Sequence, residues 1–307
     1  QDLSDVLRIS RVAVWKQIKK IQALGYTVES KQKEGYKLTK NSDLLLPWEI
    51  VLGLETKVLG QQAYYFDSVD STQNQAMKMV NESKKEGIII IAEKQTGGRG
   101  RSGRKWISPK GGIWFSIILH PKFDISNTTL FPIASSLALS IAIQKTCKVS
   151  TELKWPNDLT IKGKKLAGML IDASLESNKI ENLVLGVGIN FNVNVKEIEK
   201  ELKKTPNFYG VSSLNDQKNK TSQIELIQSF LLELEKVYEE LNKNQIKKTI
   251  AEWTKRSSTI GKKVEMNTLD GKITGKAIKI DEDGGYIIKN KEKTSKVFAG
   301  DIIHLSK

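Results

Sequence analysis

The chain has 307 residues, of which 39% are hydrophobic and 27% charged, the proportions of a soluble globular protein with two or three domains. Its formal net charge of +14 points to an anionic partner, either nucleic acid or a phosphate-bearing substrate. The single cysteine excludes an internal disulfide, and two histidines are too few for a metal cluster or a Ser-His-Asp triad. We find no apolar run long enough to cross a membrane and no signal peptide, so we expect a cytoplasmic protein.

The N-terminal segment predicts two helices followed by two strands. A short helix over residues 1–7 precedes a turn, and Ser10 is placed to cap a second helix over residues 11–24. Strands over residues 26–29 and 35–38 follow, joined by a turn that carries lysines. This order predicts a winged helix-turn-helix, whose second helix enters the major groove of DNA.

The charge of the same segment fits binding to DNA. Residues 1–40 contain nine lysines and arginines against four acidic residues, an excess that suits the phosphate backbone. The alternative is a small module that serves only in packing or dimerisation. The candidate DNA-binding residues are Ser10, Arg11, Lys16, Lys19 and Lys20.

The central part of the chain, residues 63–256, predicts an α+β domain. Residues 41–62 precede it as a connector with a helical piece near 47–54, where Pro47 fits the first turn. Strands and helices then alternate loosely, with hairpins, which indicates a mixed sheet with helices on one face. The predicted strands cover residues 64–66, 88–93, 113–119, 159–161, 165–173 and 183–191, and the predicted helices cover residues 72–84, 130–147 and 221–242.

The last part, residues 257–307, predicts a small β domain. Short alternating runs are separated by Asp270-Gly271 and by Asp283-Gly284-Gly285, which are signals for hairpins.

A glycine- and arginine-rich loop follows the apolar run of residues 88–91. Residues 97–104 contain four glycines and three arginines, namely Arg99, Arg101 and Arg104. Glycine lets backbone amides approach a ligand closely, and arginine supplies forked donors with a permanent charge. Such a loop suits a polyanion, although a solvated basic linker would have the same composition.

Two further stretches carry polar residues that suit a binding site. The run Lys154-Trp155-Pro156-Asn157-Asp158 is a rigid polar corner, and Lys164-Lys165-Leu166-Ala167-Gly168 begins a strand that bears lysines. By contrast, Gly186-Val187-Gly188 lacks the third glycine of a dinucleotide fingerprint, and the chain has no Walker A sequence. Any use of ATP therefore requires another kind of phosphate site.

The arginine loop with its following Trp106, the Lys154–Asp158 corner and the lysine-bearing strand together resemble the signatures of the biotin protein ligases, in the same order. The resemblance covers nearly the whole chain and implies a central domain related in fold to class II aminoacyl-tRNA synthetases, with an SH3-like barrel at residues 257–307. Residues 1–40 resemble the DNA-binding domain of the bifunctional ligases that repress their own biotin operon. That domain has one more helix, which would precede Gln1, so we expect the segment as given to bind DNA weakly.

The resemblance also implies roles for individual residues. Lys165, Arg101 and Asp158 would be catalytic, with Asp158 orienting cations or water. The family often has asparagine in place of Gln73. Biotin would be bound by Ser71, Thr72, Gln73, Gln95, Arg99, Gly100, Arg101 and Lys165. The nucleotide would be bound by Arg99, Arg101, Arg104, Trp106, Lys154, Asn157, Lys165 and Asn190. No protein ligands for a metal are predicted.

The implied reaction has two steps. ATP, with Mg²⁺, activates biotin to biotinyl-5′-AMP, and the biotinyl group then passes to a lysine of a biotin carboxyl carrier domain. Operator DNA would be a second partner, and a homodimer is expected. We keep two alternatives: a related ligase for lipoate or octanoate, and a ligand-sensing transcription factor that has lost catalysis. The second alternative is disfavoured, because a sensor without catalysis would not need all of the charged residues that are present, namely Arg99, Arg101, Arg104, Asp158 and Lys165.

Overall fold

The computed structural model describes residues 3–31, 34–40, 42–80, 83–176, 179–205, 208–217, 221–268, 271–291 and 293–305. Gln1, part of the turn between the first two strands, and Asp270 lie outside these residues. The chain separates into two compact units, Gln1–Leu45 and Leu46–Lys307.

The first unit contains two helices and a hairpin. Helix α1 spans Leu3–Leu7, α2 spans Arg11–Ala23, and strands β1 (Thr27–Lys31) and β2 (Gly35–Lys40) pair antiparallel. The side chain of Ser10 accepts a hydrogen bond from the amide of Ala13 (3.1 Å), so it caps α2 as the sequence predicts. The hydroxyl of Ser42 donates to the carbonyl of Leu24 (2.5 Å), which closes the chain onto the end of α2.

A seven-stranded mixed sheet forms the centre of the second unit. Its strand order is β3-β4-β5-β9-β8-β7-β6, and only the pair β3–β4 is parallel. Every residue of β4 and β5 is buried, which explains why these strands are apolar throughout and do not alternate. The strands are β3 (Ala63–Phe66), β4 (Ile89–Ala92), β5 (Ile113–Leu119), β6 (Glu152–Lys154), β7 (Asp158–Ile161), β8 (Lys164–Glu176) and β9 (Lys179–Ile189).

In the part of the second unit that the structure describes, six helices accompany this sheet: α3 (Pro47–Val51), α4 (Thr72–Val80), α5 (Leu130–Thr146), α6 (Val195–Leu202), α7 (Gln223–Asn242) and α8 (Lys247–Arg256). Helix α7 begins with a capping box between Ser222 and Glu225, and its buried face packs against α5. The indole of Trp253 in α8 is fully buried and donates to the hydroxyl of Ser136 in α5 (3.0 Å).

One sequence expectation about membranes needs correction. By length and composition alone, the 22 helical residues Ile125–Thr146 could cross a membrane. However, 61% of the most apolar window of this stretch is buried inside the fold. Because a core helix of a globular domain has the same composition, we interpret this stretch as the central core helix of the second unit.

The C-terminal part forms a separate antiparallel sheet of five strands in the order β13-β12-β11-β10-β14. Its contact with the central domain includes the ring of Tyr286, which lies 5.1 Å from the ring of Trp155. The strands are β10 (Lys263–Thr268), β11 (Gly271–Ile280), β12 (Tyr286–Lys289), β13 (Thr294–Val297) and β14 (Asp301–His304).

The predicted elements differ from the observed ones mainly at their ends. The helix near residues 47–54 ends at Val51, and the described part of the helix predicted over residues 72–84 spans Thr72–Val80, because residues 81 and 82 lie outside the described residues. Helices α6 and α8 were missed because both are short and largely polar, although Val195, Ile198 and Leu202 recur at helical spacing along one side of α6. Leu46, Ile50 and Leu59 are buried, so residues 46–62 pack as part of the second unit.

Candidate active site

The glycines of the arginine loop allow the chain to fold tightly against the end of β4. The amide of Gly97 donates to the carbonyl of Asp70 (2.7 Å), and the amide of Gly100 donates to that of Arg104 (2.7 Å). A Cβ atom on Gly98 would lie 2.4 Å from the carbonyl oxygen of Trp106, so this position requires glycine. The loop is therefore closed on itself, with its arginine side chains available to the neighbouring surface.

An open pocket lies beside this loop. Its walls come from the loop, the start of α4, the Lys154–Asp158 corner, strands β8 and β9, the segment that follows α6, and the start of β14. The predicted site residues that line it are Ser71, Thr72, Gln73, Gln95, Arg99, Gly100, Arg101, Arg104, Trp106, Lys154, Asn157, Asp158 and Lys165.

Asn190 is the one predicted site residue of this domain that does not line the pocket. It is 4% exposed, and its side-chain amide donates to the carbonyl of Lys165 (3.3 Å). The side chain of Asn190 therefore contacts the backbone of Lys165 and lies outside the pocket lining.

Lys165 and Asp158 form an ion pair at the centre of the pocket. The Lys165 Nζ lies 2.8 Å from Asp158 Oδ1, and the hydroxyl of Tyr209 donates to Asp158 Oδ2 (2.6 Å). The Lys165 ammonium also lies 5.0 Å from the centroid of the Trp106 ring. One carboxylate thus holds both the lysine and the tyrosine.

The three arginines of the loop each have a different partner. Arg101 donates to the side-chain oxygen of Asn157 (3.1 Å), and Arg99 pairs with Asp172 of β8 (2.9 Å). Arg104 pairs with Asp301 of β14, and this hydrogen bond raises the pKa of Arg104. Burial lowers the pKa of Arg101, which makes it the most desolvated cation of the loop.

Lys154 is a partly buried lysine with Asp158 and Lys165 among its charged neighbours. Burial lowers its pKa from 10.5 to about 8, while the carboxylate of Asp158 acts in the opposite direction. The Lys154 Nζ lies 3.4 Å from the centroid of the Tyr209 ring, so the ring supports the ammonium by a cation–π contact.

One wall of the pocket is a chain of buried hydrogen bonds. The amide nitrogen of Thr72 donates to Gln95 Oε1 (2.7 Å), and Gln95 Nε2 donates to the hydroxyl of Ser108 (2.8 Å). Ser116 donates to Gln73 Oε1 (2.9 Å), and Gln73 Nε2 donates to the carbonyl of Val184 (3.0 Å). The protein itself therefore engages the side-chain amides of Gln73 and Gln95.

Trp106 forms the opposite wall. Its indole N–H is buried without a hydrogen-bond partner among the described residues, and its ring packs edge-on against Trp114 with centroids 6.3 Å apart. A Cβ atom on Gly188 would lie 2.5 Å from this indole nitrogen. The two glycines that do not form a dinucleotide fingerprint thus have another role: Gly188 makes room for Trp106, and Gly186 makes room for Gln73.

Sequence reasoning missed several residues of the site. Tyr209 lies in a loop after a helix that was not predicted, and Asp301 lies in the C-terminal domain. Neither carries a local motif, and only their distance from charged side chains of the pocket identifies them. Among the described residues, no group of three or more His, Cys, Asp or Glu residues could hold a metal ion.

The candidate DNA-binding residues lie in the first unit. Ser10, Arg11, Lys16, Lys19 and Lys20 are all exposed, and Lys19 Nζ lies 5.8 Å from the ring of Trp15. Since the side chain of Ser10 accepts the amide of Ala13, its structural role as a helix cap is observed.

The chain matches three family models along its length. One described as the biotin/lipoate A/B protein ligase family matches residues 65–190. Models described as an HTH domain and a biotin protein ligase C-terminal domain match residues 1–37 and 259–305.

Curated proteins and solved structures agree with these matches. The bifunctional ligase/repressor BirA of Bacillus spizizenii is 35% identical over 98% of this chain and 92% of its own length. The protein of the same description from Escherichia coli is 26% identical over 94% of this chain and 87% of its own length. The biotin protein ligase of Aquifex aeolicus, solved in complex with biotin and ATP, is 29% identical with a TM-score of 0.67, covering 79% of this chain and 98% of that one.

An α+β ligase domain with a cationic pocket, preceded by a helix-turn-helix unit and followed by a β domain, defines a two-function protein that combines a ligase with a DNA-binding module. The chain belongs to the family of bifunctional biotin protein ligase/repressors. The family predicted from the sequence is therefore confirmed.

Proposed function

We propose that this protein activates biotin with ATP to biotinyl-5′-AMP and transfers the biotinyl group to a lysine of a biotin carboxyl carrier domain. The observation that supports this most is the convergence of Lys165, Arg101 and Lys154 on one pocket that also contains a buried polar wall. A carboxylic acid and a nucleotide phosphate could meet there, with their negative charges opposed by fixed cations.

In the first step a carboxylate oxygen of biotin attacks the α-phosphorus of ATP. The new P–O bond forms as the bond to the β-phosphate oxygen breaks, and pyrophosphate leaves with that electron pair. Two anions must approach each other, so cations at their meeting point lower the barrier. We assign Lys165 to the biotin carboxylate and α-phosphate, and Arg101 to the same phosphate. No proton needs to move in this step.

Further contacts to the nucleotide and to biotin follow from position. Lys154 and Arg104 would approach the phosphates, and Trp106 would cover the adenine. Asn190 would support the strand of Lys165, because its side chain donates to the Lys165 carbonyl. Ser71, Thr72 and Ser116 offer hydroxyls to the polar ring system of biotin. Closure of residues 97–104 over the adenylate would keep water from the mixed anhydride.

Mg²⁺ would enter with the nucleotide. Among the described residues there is no cluster of acidic ligands, and Asp158 already pairs with Lys165 and Tyr209. Mg²⁺ keeps several waters and prefers phosphate oxygens. Water and the phosphates of ATP would therefore supply most of its ligands, in place of protein side chains. When bound, it would neutralise the departing pyrophosphate.

In the second step the amine of an acceptor lysine attacks the acyl carbon of the adenylate. The bond between the acyl carbon and the bridging oxygen of the phosphate breaks, and AMP leaves with its electron pair. The amine loses a proton to solvent. Lys165 and Arg101 would stabilise the charge on the leaving phosphate.

The first unit would act as a repressor. We propose that residues 1–40 form a winged helix-turn-helix on biotin-operon DNA, that residues 41–62 connect it to a catalytic domain at 63–256, and that residues 257–307 form an SH3-like barrel. A homodimer in the cytoplasm, with the two-fold symmetry of an operator, fits this role. Lys16, Lys19 and Lys20 would neutralise phosphates, so each substitution by alanine should reduce the salt dependence of DNA binding by about one counterion.

Transfer to a purified carrier domain tests the ligase function directly. The domain is incubated with the protein, Mg²⁺, ATP and either biotin or lipoate, and its mass is measured. We expect one lysine to gain a biotinyl group and none to gain a lipoyl group. Lipoylation in place of biotinylation would favour the lipoate ligase, and biotin binding without any transfer would favour the sensor that has lost catalysis.

A further inference from the structure

The segment that follows α6 is attached to the backbone of Lys165. The amide of Lys165 donates to the carbonyl of Gly210 (3.0 Å), and the amide of Ser212 donates to the carbonyl of Lys165 (2.8 Å). Val211 pairs with Lys165 as an isolated parallel bridge. Because these bonds fix the backbone on both sides of Lys165, they also fix the position of the neighbouring Tyr209.

The hydroxyl of Tyr209 reaches the carboxylate that holds Lys165. It donates to Asp158 Oδ2 (2.6 Å), while Asp158 Oδ1 lies 2.8 Å from Lys165 Nζ. Burial and the charge of Asp158 raise the pKa of Tyr209 well above 10, so the phenol keeps its proton and remains a donor. Both oxygens of Asp158 are thereby engaged, and the carboxylate has little freedom to rotate.

The ring of Tyr209 has a separate contact. The Lys154 Nζ lies 3.4 Å from the ring centroid, a distance at which the π-face attracts an ammonium group. Lys154 lies at the end of β6 and Lys165 near the start of β8. One tyrosine thus contacts Lys154 directly and reaches Lys165 through Asp158.

We propose that Tyr209 is a positioning residue for the activation of biotin: its hydroxyl fixes Lys165 through Asp158, and its ring fixes Lys154 for the nucleotide phosphates. The proposal deepens the proposed function and rests on it. Tyr209 neither gains nor loses a proton in the reaction. Its hydroxyl and its ring act on different lysines, so the two contacts can be separated by substitution.

Tyr209→Phe removes the hydroxyl and keeps the ring, whereas Tyr209→Ala removes both. The initial rate of adenylate formation gives kcat and the KM for ATP of each variant. For Tyr209→Phe we expect kcat to fall about tenfold, as for the loss of one hydrogen bond to a charged group, with the KM for ATP within about twofold of the wild type. For Tyr209→Ala we expect a similar fall in kcat and an additional rise of several-fold in KM.

Tyr64→Phe is a matched control, because Tyr64 is exposed and its hydroxyl accepts only from Gln62 (2.6 Å) among its described contacts. Its kinetics should equal those of the wild type. A wild-type kcat in Tyr209→Phe would overturn the proposal. A fall in kcat of Tyr209→Phe together with higher KM values for ATP and for biotin and a lowered Tm would also overturn it, since that pattern indicates a purely structural role.

A second measurement needs no turnover. In protein labelled with ¹⁵N at the lysine side chains, NMR titration should find the pKa of Lys154 near its value of about 8 in the wild type and in Tyr209→Phe. In Tyr209→Ala, water replaces the ring. Loss of the cation–π contact alone would lower this pKa, but the relief of desolvation, which is the largest cause of the shift, outweighs it, so the pKa should rise toward 10.5. An unchanged pKa in Tyr209→Ala would overturn the role of the ring. An inactive wild type with the expected titration would instead count against the proposed function alone.

Discussion

Arg104 of the arginine loop forms an ion pair with Asp301, the first residue of β14, so the C-terminal sheet contacts the pocket through charge. Arg99 and Lys165 likewise pair with protein carboxylates, those of Asp172 and Asp158. Three cations of the site are therefore paired with carboxylates of the protein itself. A substrate with several phosphates must replace some of these pairs, and the protein's own carboxylates compete with it.

Substitution of Asp301 tests this competition. Asp301→Asn removes the negative charge but keeps the side-chain shape, so Arg104 should become available to the phosphates. We expect the KM for ATP to fall by roughly two- to fivefold, while the free energy of unfolding changes by less than about 1 kcal/mol because the pair is partly exposed. Steady-state kinetics and denaturant titration measure the two quantities.

Asp281→Asn is the control for this change, since Asp281 pairs with Lys279 and Lys296 on the C-terminal sheet outside the pocket lining. It should leave the KM for ATP unchanged. An equal effect of both substitutions would show that net charge, and not the Arg104 pair, determines the KM.

Loss of Lys165 should remove catalysis without unfolding the protein. In Lys165→Ala the meeting point of the carboxylate and the α-phosphate loses its closest cation, and we expect kcat for adenylation to fall by about 10²–10³-fold. The neighbouring Lys164 is exposed and does not line the pocket, so Lys164→Ala serves as the matched control. Wild-type turnover in Lys165→Ala would contradict its assignment.

Binding of ATP should depend on pH through Lys154. Burial lowers the pKa of this lysine to about 8, so the cationic form predominates below pH 8 and is lost as pH rises through that value. The neutral amine attracts phosphate less strongly, and kcat/KM for ATP, which reports on the free enzyme, should therefore fall above pH 8.

Lys154→Arg provides the comparison, because arginine stays charged over this range. The variant should show no decline near pH 8, whatever its absolute rate. A decline of the same size in Lys154→Arg would assign the pH dependence to another group.

A buried carboxylate outside the site should matter for stability. Glu235 of α7 accepts hydrogen bonds from the amides of Lys57 (2.7 Å), Val58 (3.0 Å) and Leu59 (2.9 Å). Glu235→Gln removes the charge and one acceptor, so we expect a loss of about 2–3 kcal/mol in the free energy of unfolding by denaturant titration.

Glu239 of the same helix is the control. It forms only an exposed pair with Lys243 among the described contacts, so Glu239→Gln should change the free energy of unfolding by less than about 0.5 kcal/mol. Equal effects of the two substitutions would contradict the stabilising role of the hydrogen bonds from residues 57–59 to Glu235.

The sequence predicted the parts of the site that are local in the chain. The arginine loop and the Lys154–Asp158 corner carry their chemistry in a few consecutive residues, so their motifs were visible. Tyr209 and Asp301 reach the pocket only through tertiary structure, and single residues far apart in the chain leave no local pattern. Asn190 directly follows β9, and its side chain donates to the backbone carbonyl of Lys165, a contact that no local pattern indicates.

The fold was predictable for a similar reason. Long apolar runs such as β5 and the periodic helix α7 were located to within one or two residues at most ends, because burial determines their composition. Helices α6 and α8 are short and largely polar; the apolar residues Val195, Ile198 and Leu202 lie on one side of α6, but a run of eight residues is too short to distinguish a helix from a loop by pattern alone.

The central claim is that this chain adenylates biotin, and ATP–pyrophosphate exchange tests it most directly. The purified protein is incubated with ATP, Mg²⁺ and labelled pyrophosphate, with biotin, with lipoate, or without an acid. The account predicts that label enters ATP only when biotin is present. Exchange with lipoate, or no exchange with either acid while biotin still binds, would contradict it.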